Sequence, residues 1–293
     1  MSAYNQEGMR AGRLLLARCP EVEKTAKELL LECLPNIARA EASRQPNAND
    51  AKGWLYLAEM LDKWFGEKVA RDAEGRLLKN PESFSVDWGW AMSYARTRDG
   101  YEWLVKTDFS SEEGVTHNIY NQVAKNMLAG CLKRYLEEFG SFNTDGTLRY
   151  SRVYFDFSQT PKNQWHGWSF NFIDIQRPTF AVDGLFAAMG AFALRALAKG
   201  YIDQIDGRWC GITVTDCWIF VHDLFNFERN EDLRYWSCEQ KGFSRVSIEG
   251  YRRVNNSDFR SYRDRHNYGR DFDVISDLHE VENFAGINYT HWV

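Results

Sequence analysis

No stretch of this chain approaches the about 20 consecutive apolar residues that a helix needs to cross a bilayer. The first ten residues, M-S-A-Y-N-Q-E-G-M-R, lack the basic-then-apolar layout of a leader, and the following R-L-L-L-A-R is too short and too charged to supply one. An integral membrane segment is therefore not expected; the protein is expected to be cytoplasmic in its producer, and any export would take a leaderless route. Cysteine is sparse and scattered: Cys19, Cys33, Cys131, Cys210, Cys217 and Cys238 form no C-x-x-C pair, and no His stands at zinc-finger spacing. The expectation is free, mostly buried thiols. There is no excess of positive charge, with 36 Lys+Arg against 41 Asp+Glu and a net charge of −5, which argues against a general nucleic-acid or anionic-membrane surface. Walker, G-x-G-x-x-G, G-x-S-x-G, H-E-x-x-H and calcium-loop motifs are all missing, which removes several large enzyme classes and leaves no cofactor specified. Repeats, low-complexity tracts and long linkers are missing as well.

What the chain does have is bulk. Hydrophobic residues make up 44% and aromatics 15%, with eleven Trp, so a large core built on wide side chains is expected. From Glu21 to Ala42 a helical stripe of Val22, Ala26, Leu29, Leu30, Cys33, Leu34 and Ile37 stands opposite charge, with Pro35 expected to kink or end it. A second helix is read from Gly53 to Phe65, capped through Asn49 or Asp50, with Trp54, Leu57, Ala58, Leu61, Trp64 and Phe65 on its core face. Glu67 to Ser83 reads as a charged connection. Val86, Trp90, Tyr94 and Trp103 fit a further helical face, and Ser111 to Gly140 a long amphipathic helix closed by its glycine.

Past the Asp145-Gly146 turn signal the period changes to two. Arg152 to Phe157 and Trp168 to Ile175 alternate and read as a hairpin with a long loop. Gly184 to Tyr201 reads as a short turn or helix followed by a strand, with Asp206-Gly207 as the hairpin tip leading into the longest strand, which starts at Trp209. In that strand Ile212, Val214, Asp216, Trp218 and Phe220 alternate with Thr213, Thr215, Cys217, Ile219 and Val221, as expected of a strand at the centre of a sheet. Ser257 to His266 reads as a capped helix and Asp271 to Ser276 as a last strand. The fold class is α+β: a mainly helical part, residues 1–145, packed on an antiparallel sheet formed by residues 146–293, in one continuous globular unit.

Candidate chemistry comes from polar residues near strand ends. Tyr262 to Asp273 is the densest cluster, in which His266 could act as acid or base and Arg263 as an anion clamp, with Asp271 and Asp223 as orienting carboxylates. The bland reading of the same residues is a solvated ion-pair network. His222 and Asp223 alternate to opposite faces and are not a ready-made pair. Trp165, His166 and Trp168 form an aromatic loop that could stack a sugar or a base, or plug the end of a sheet. A metal site from Asp271, Asp273, Asp277 and His279 is conceivable, though an exposed D-x-D on an edge strand explains the spacing equally well, and no metal site is assigned.

The segments L-D-K-W-F (61–65), S-V-D-W-G-W-A-M-S-Y-A-R-T-R-D-G-Y-E (85–102), G-A-F-A-L-R-A-L-A-K-G-Y (190–201), V-T-D-C-W-I-F-V-H-D-L-F-N-F (214–227) followed by L-R-Y-W-S, and F-R-S-Y-R-D-R-H-N-Y-G-R-D-F-D-V-I-S (259–276) stand in a shared order and spacing. In these the chain resembles the uncharacterised proteobacterial domain-of-unknown-function family numbered six-four-zero-two. Asp223, Phe225 and Phe227, Tyr235 and Trp236, and Gly269, Asp271 and Phe272 are the family-like positions, whereas Arg270 stands where members often have a second Gly. The resemblance implies a gene beside spike-protein genes of the type VI secretion system. It therefore implies an antibacterial effector, which if an enzyme would be a hydrolase of a cell-envelope or nucleic-acid substrate, partnered by a spike or adaptor protein and a cognate immunity protein. The other role it allows is that of a non-enzymatic immunity or adaptor protein binding a cognate toxin or spike. It carries no catalytic residues across.

Overall fold

The computed structural model describes residues 24–106, 118–176, 182–206, 209–228 and 231–292. Helix α1 (Ala26–Arg44) begins in a capping box: the Thr25 hydroxyl accepts from the Glu28 backbone N–H, and the Glu28 carboxylate accepts from that of Thr25. Pro35 lies inside it, and the helix runs on to Arg44. The proline neither ends it nor prevents the core face, since Leu34, Ile37 and Ala38 stay buried on either side. Helix α2 (Ala48–Gly66) starts five residues earlier than its apolar stripe, with Asn47 as the cap. Two short strands, β1 (Ala70–Arg71) and β2 (Leu77–Leu78), make a hairpin inside the stretch read as a connection, and β3 (Asn80–Val86) begins within that stretch and runs past its end. Helices α3 (Trp88–Met92), α4 (Ala95–Val105) and α5 (Gln122–Glu138) complete the first half. The part of the expected helix from Ser111 to His117 lies outside the described residues, as do Cys19, the chain start and Gly207. Trp103 is exposed and Val86 belongs to β3, so the single helical face read through them does not exist.

Next come β4 (Arg152–Asp156), two 3₁₀ turns, the one-turn helix α6 (Trp165–Trp168), β5 (Asn171–Ile175), α7 (Gly184–Met189), β6 (Phe192–Asp206) and β7 (Trp209–Phe225). The chain ends with β8 (Asp232–Ser237), β9 (Gly242–Ser244), β10 (Arg252–Asn255), α8 (Asn256–His266), β11 (Phe272–Ser276), β12 (His279–Glu280) and β13 (Ile287–Trp292).

The class is α+β. Its main sheet is built on the antiparallel pair of β6, with 15 residues, and β7, with 17. On the free side of β6, β5 pairs with Phe192–Ala196 and β4 with Lys199–Asp203. On the free side of β7, β11, β12 and β13 follow one another along its length. The Arg152 and Trp168 strands are therefore not partners; each pairs with β6, which is long enough to receive both. Beyond β11, β3 joins in parallel, so the first half supplies one strand to the sheet. Thr215 has no partner across from it in the register with β6, and this extra residue switches the buried side of β7 from Ile212 and Val214 to Cys217 and Ile219. Strands β8, β9 and β10 form a separate small sheet.

The helices cover the sheet through wide side chains. Trp64 is fully buried, with Phe65, Phe227 and Phe259 edge-on around it at 5.1 to 5.3 Å. A side chain of that size contributes about 4 to 6 kcal/mol of burial. Cys33 of α1 and Cys238 after β8 form a disulfide, with Cα atoms 5.8 Å apart. This corrects the expectation of free thiols for that pair; Cys131, Cys210 and Cys217 form no disulfide. No helix among the described residues is long and apolar enough to cross a membrane.

Candidate functional site

Strand register assembles the most chemically dense cluster. Arg195 of β6 lies opposite Phe220 of β7, and Asp273 of β11 lies opposite Leu224 of β7. Side chains two apart share a face, so Arg195, Phe220, His222, Leu224 and Asp273 form a row across three adjacent strands. His222 sits between a cation and a carboxylate. Arg195 Nε donates to His222 Nδ1 at 3.1 Å, and Arg195 Nη1 donates to Ser169 Oγ at 3.2 Å. Because a guanidinium can only donate, His222 Nδ1 is the acceptor and the ring proton stands on Nε2, which faces Asp273 Oδ1 at 3.2 Å. Lys79, just ahead of β3, holds both Asp273 oxygens at 3.0 Å. From α6 the His166 ring lies nearly parallel to His222, with centroids 5.1 Å apart, and its Nδ1 is buried with no hydrogen-bond partner among the described residues.

Burial sets the protonation states. It holds both His166 and His222 below the ordinary histidine range, against the opposing pull of Asp273, so both rings are neutral at pH 7. For Asp273 burial acts upward, but the hydrogen bonds from His222 and Lys79 outweigh it and keep the carboxylate below its usual range. The ligand atoms of His166, His222 and Asp273 lie within 4.8 Å of one another, which is a geometry that can hold a metal ion.

Through His222 and Arg195 the cluster reaches a cleft of about 550 Å³. Its walls come from α1 and α2 (Leu34, Trp54, Leu57), α7 (Phe186, Met189), the end of β7 (Asp223 to Phe227) and the small sheet (Trp236, Phe243). That volume falls in the range of small-molecule pockets.

The residues singled out in sequence are distributed over several places. Arg263 and Asp271 meet in a buried pair, with Nη1 and Nη2 donating to the two carboxylate oxygens at 3.2 and 3.0 Å, and Trp64 Nε1 adding a third bond at 3.1 Å. Burial still pushes Asp271 above the usual carboxylate range against the pull of Arg263. His266 is elsewhere: its Nε2 contacts Glu28 Oε1 at 3.0 Å, beside Arg265 on the same carboxylate. Asp223 lines the cleft. Trp165 and Trp168 are buried, the first donating to the Thr160 carbonyl and the second stacked on Phe157, while His166 between them joins the cluster. Asp271, Asp273, Asp277 and His279 do not converge. Asp277 is met by Lys162 and His279 stacks on Trp88.

Lys79, Ser169, Arg195 and His222 are the members that sequence reasoning left out of its site, and Asp273 is weighed there only with Asp271, Asp277 and His279. The available signal was a charged residue, Arg195, within the apolar run from Phe192 to Ala198, where an unpaired cation is costly.

Compared with models of protein families, residues 44–240 and 237–290 match the Family of unknown function (DUF6402). The chain belongs to this family. The DUF6402 match covers every residue of the cluster, from Lys79 to Asp273. No curated protein and no solved structure matches the chain.

Proposed function

We propose that this DUF6402 protein is an antibacterial effector of a type VI secretion system and acts as a hydrolase, with the His166–His222–Asp273 cluster as its reactive centre. One observation carries the chemistry: two neutral imidazoles and an ionised carboxylate are held together, and one of them, His222, lines a cleft beside the Arg195 guanidinium, which is able to stabilise an anion. The secretion context rests on the gene neighbourhood that membership of the family implies. Between the two substrate classes, the Cys33–Cys238 disulfide favours the cell envelope, since such bonds persist in oxidising compartments such as the periplasm. Expression in a sensitive bacterium should arrest growth when the protein is directed to the periplasm, and His166→Ala and Asp273→Asn should abolish the arrest. Harmless expression in both compartments would overturn the reading.

A second reading, an immunity or adaptor protein binding a cognate toxin or spike, is favoured by a different feature. Tyr150, Tyr154, Ile205 and Trp209 are exposed around the edge strand β4 and the far end of the β6–β7 pair, as interface aromatics are. Protection of the host from a neighbouring toxin gene, lost on Tyr154→Ala and Trp209→Ala, would establish it.

A further inference from the structure

We infer that His166, His222 and Asp273 bind a divalent transition-metal ion of the zinc class, and that Arg195 and Lys79 oppose its entry. The three donors come from three elements, α6, β7 and β11, and are the imidazole and carboxylate types that such ions take. With metal–ligand bonds of about 2.0 to 2.2 Å, ligands of a tetrahedral site stand roughly 3.3 to 3.5 Å apart. The His222–Asp273 edge already measures 3.2 Å, and all three ligand atoms lie within 4.8 Å. An inward shift of about an ångström on the His166 side closes the site. The partnerless Nδ1 of His166 is a second sign: a buried ring nitrogen with no partner is costly unless something fills the position.

Loading changes two hydrogen bonds. In the ion-free form the His222 proton is on Nε2 because Nδ1 accepts from Arg195. To ligate through Nε2 the neutral ring must shift that proton to Nδ1. No proton is lost, but Nδ1–H and the Arg195 Nε–H then face each other as two donors. Arg195 has to withdraw, and Asp174 is a carboxylate besides Asp273 whose charge acts on it. Lys79 must leave Asp273; its side chain is 43% exposed and can swing into solvent. Each cation also repels the incoming ion. The site is therefore gated, and replacing its gate should strengthen it. A glutamine at 195 offers a carboxamide oxygen to the Nδ1–H that the loaded form carries.

Three protein ligands leave a fourth position for water, whose pKa zinc lowers to about 7. The use of that water for hydrolysis rests on the proposed function; the binding of the ion does not.

The test uses the full-length, chelator-treated protein with its disulfide intact. Zn²⁺ is titrated in competition with a chromophoric chelator, and Co²⁺ binding is followed by its visible spectrum. One equivalent should bind, without the intense near-ultraviolet band of thiolate ligation that the unbridged cysteines would give. His166→Ala and Asp273→Asn should each weaken binding at least about tenfold, while Arg195→Gln should tighten it several-fold. His166→Ala alters a half-buried helix position and Asp273→Asn keeps the shape, so circular dichroism can confirm that both remain folded. No binding by either the wild type or Arg195→Gln, binding untouched by His166→Ala, or a thiolate band would each overturn the inference. So would stabilisation by inorganic phosphate in place of metal, lost in Arg195→Gln, which would mark an anion site. Metal binding in a protein that arrests no growth keeps this inference and removes the effector reading; growth arrest without metal binding does the reverse.

Discussion

At the scale of single residues, the Arg263–Asp271 pair and the His222–Asp273 pair look alike and behave differently. Arg263 is 3% exposed and its Nη1 and Nη2 donate to Asp271 and Glu228. Such a pair holds structure, because removing one partner leaves a charge buried and unmatched. Arg263→Met should lower the urea-unfolding free energy by about 3 to 5 kcal/mol. Arg263→Met with Asp271→Leu should recover much of that loss. His266→Gln, far from the cleft cluster on Glu28, should leave growth arrest unchanged. The two cleft histidines predict a pH effect. Their folded pKa values lie below the ordinary 6.5, so as pH falls below about 6.5 the unfolded chain takes up protons before the native one does. Stability contributed by keeping them neutral is complete above that pH and is lost as pH drops through the folded values. Urea midpoints measured from pH 7.5 down to 5 should fall, and they should fall less steeply in His222→Asn. Sequence pattern made Asp271, Arg263 and His266 visible because they crowd a 12-residue segment. It could not join His222 to Asp273, 51 positions away, because only the pairing of β7 with β11 makes them neighbours.

Elements were legible where one period persisted. The central strand β7 and the capped helix α8 follow alternation and helical spacing plainly, while the Gly184–Tyr201 run mixes both signals and reads as a short turn or helix followed by a strand. Strand β3 was hidden because N-P-E-S-F-S-V carries mostly polar residues, and its place is set by the parallel pairing with β11 rather than by its own composition. Pairing was equally out of reach. Nothing local tells β4 and β5 to avoid each other; the length of β6 decides it. One close approach between elements is testable. Gly53 of α2 sits on Gly184 at the start of α7, where a Cβ at Gly53 would come 2.2 Å from the Gly184 carbonyl oxygen. The Asp50 carboxylate of the preceding turn accepts from Gly184 N at 2.8 Å and from Tyr94 Oη at 3.0 Å, fixing α7 where Phe186 and Met189 form a wall of the cleft. Gly53→Ala should push the two helices apart at a cost of about 1 to 3 kcal/mol. The readout is a lowered thermal midpoint. An unchanged midpoint would mean that the contact is loose.

On the scale of the whole molecule, the Cys33–Cys238 bond ties the first helix to the small sheet across 205 residues of chain. The same two elements, α1 and the strand pair β8–β9, stand on one side of the cleft through Leu34, Trp236 and Phe243. Scattered cysteines pointed to free thiols because spacing in sequence carries no information about spacing in the fold. Closing so long a loop removes much of the freedom of the unfolded chain, and about 2 to 5 kcal/mol of stability should go with the bond. Urea unfolding with and without reductant should show that difference. Cys33→Ser should match the reduced wild type and no longer respond to reductant. In cells the consequence is directional: the reducing cytoplasm of a producer would hold the chain in its weaker form, and an oxidising periplasm would lock it. Periplasmic growth arrest by the wild type should therefore exceed that of Cys33→Ser, with the two equally inactive in the cytoplasm. Equal potency of both in the periplasm would separate the disulfide from the proposed effector action and leave it a purely structural tie.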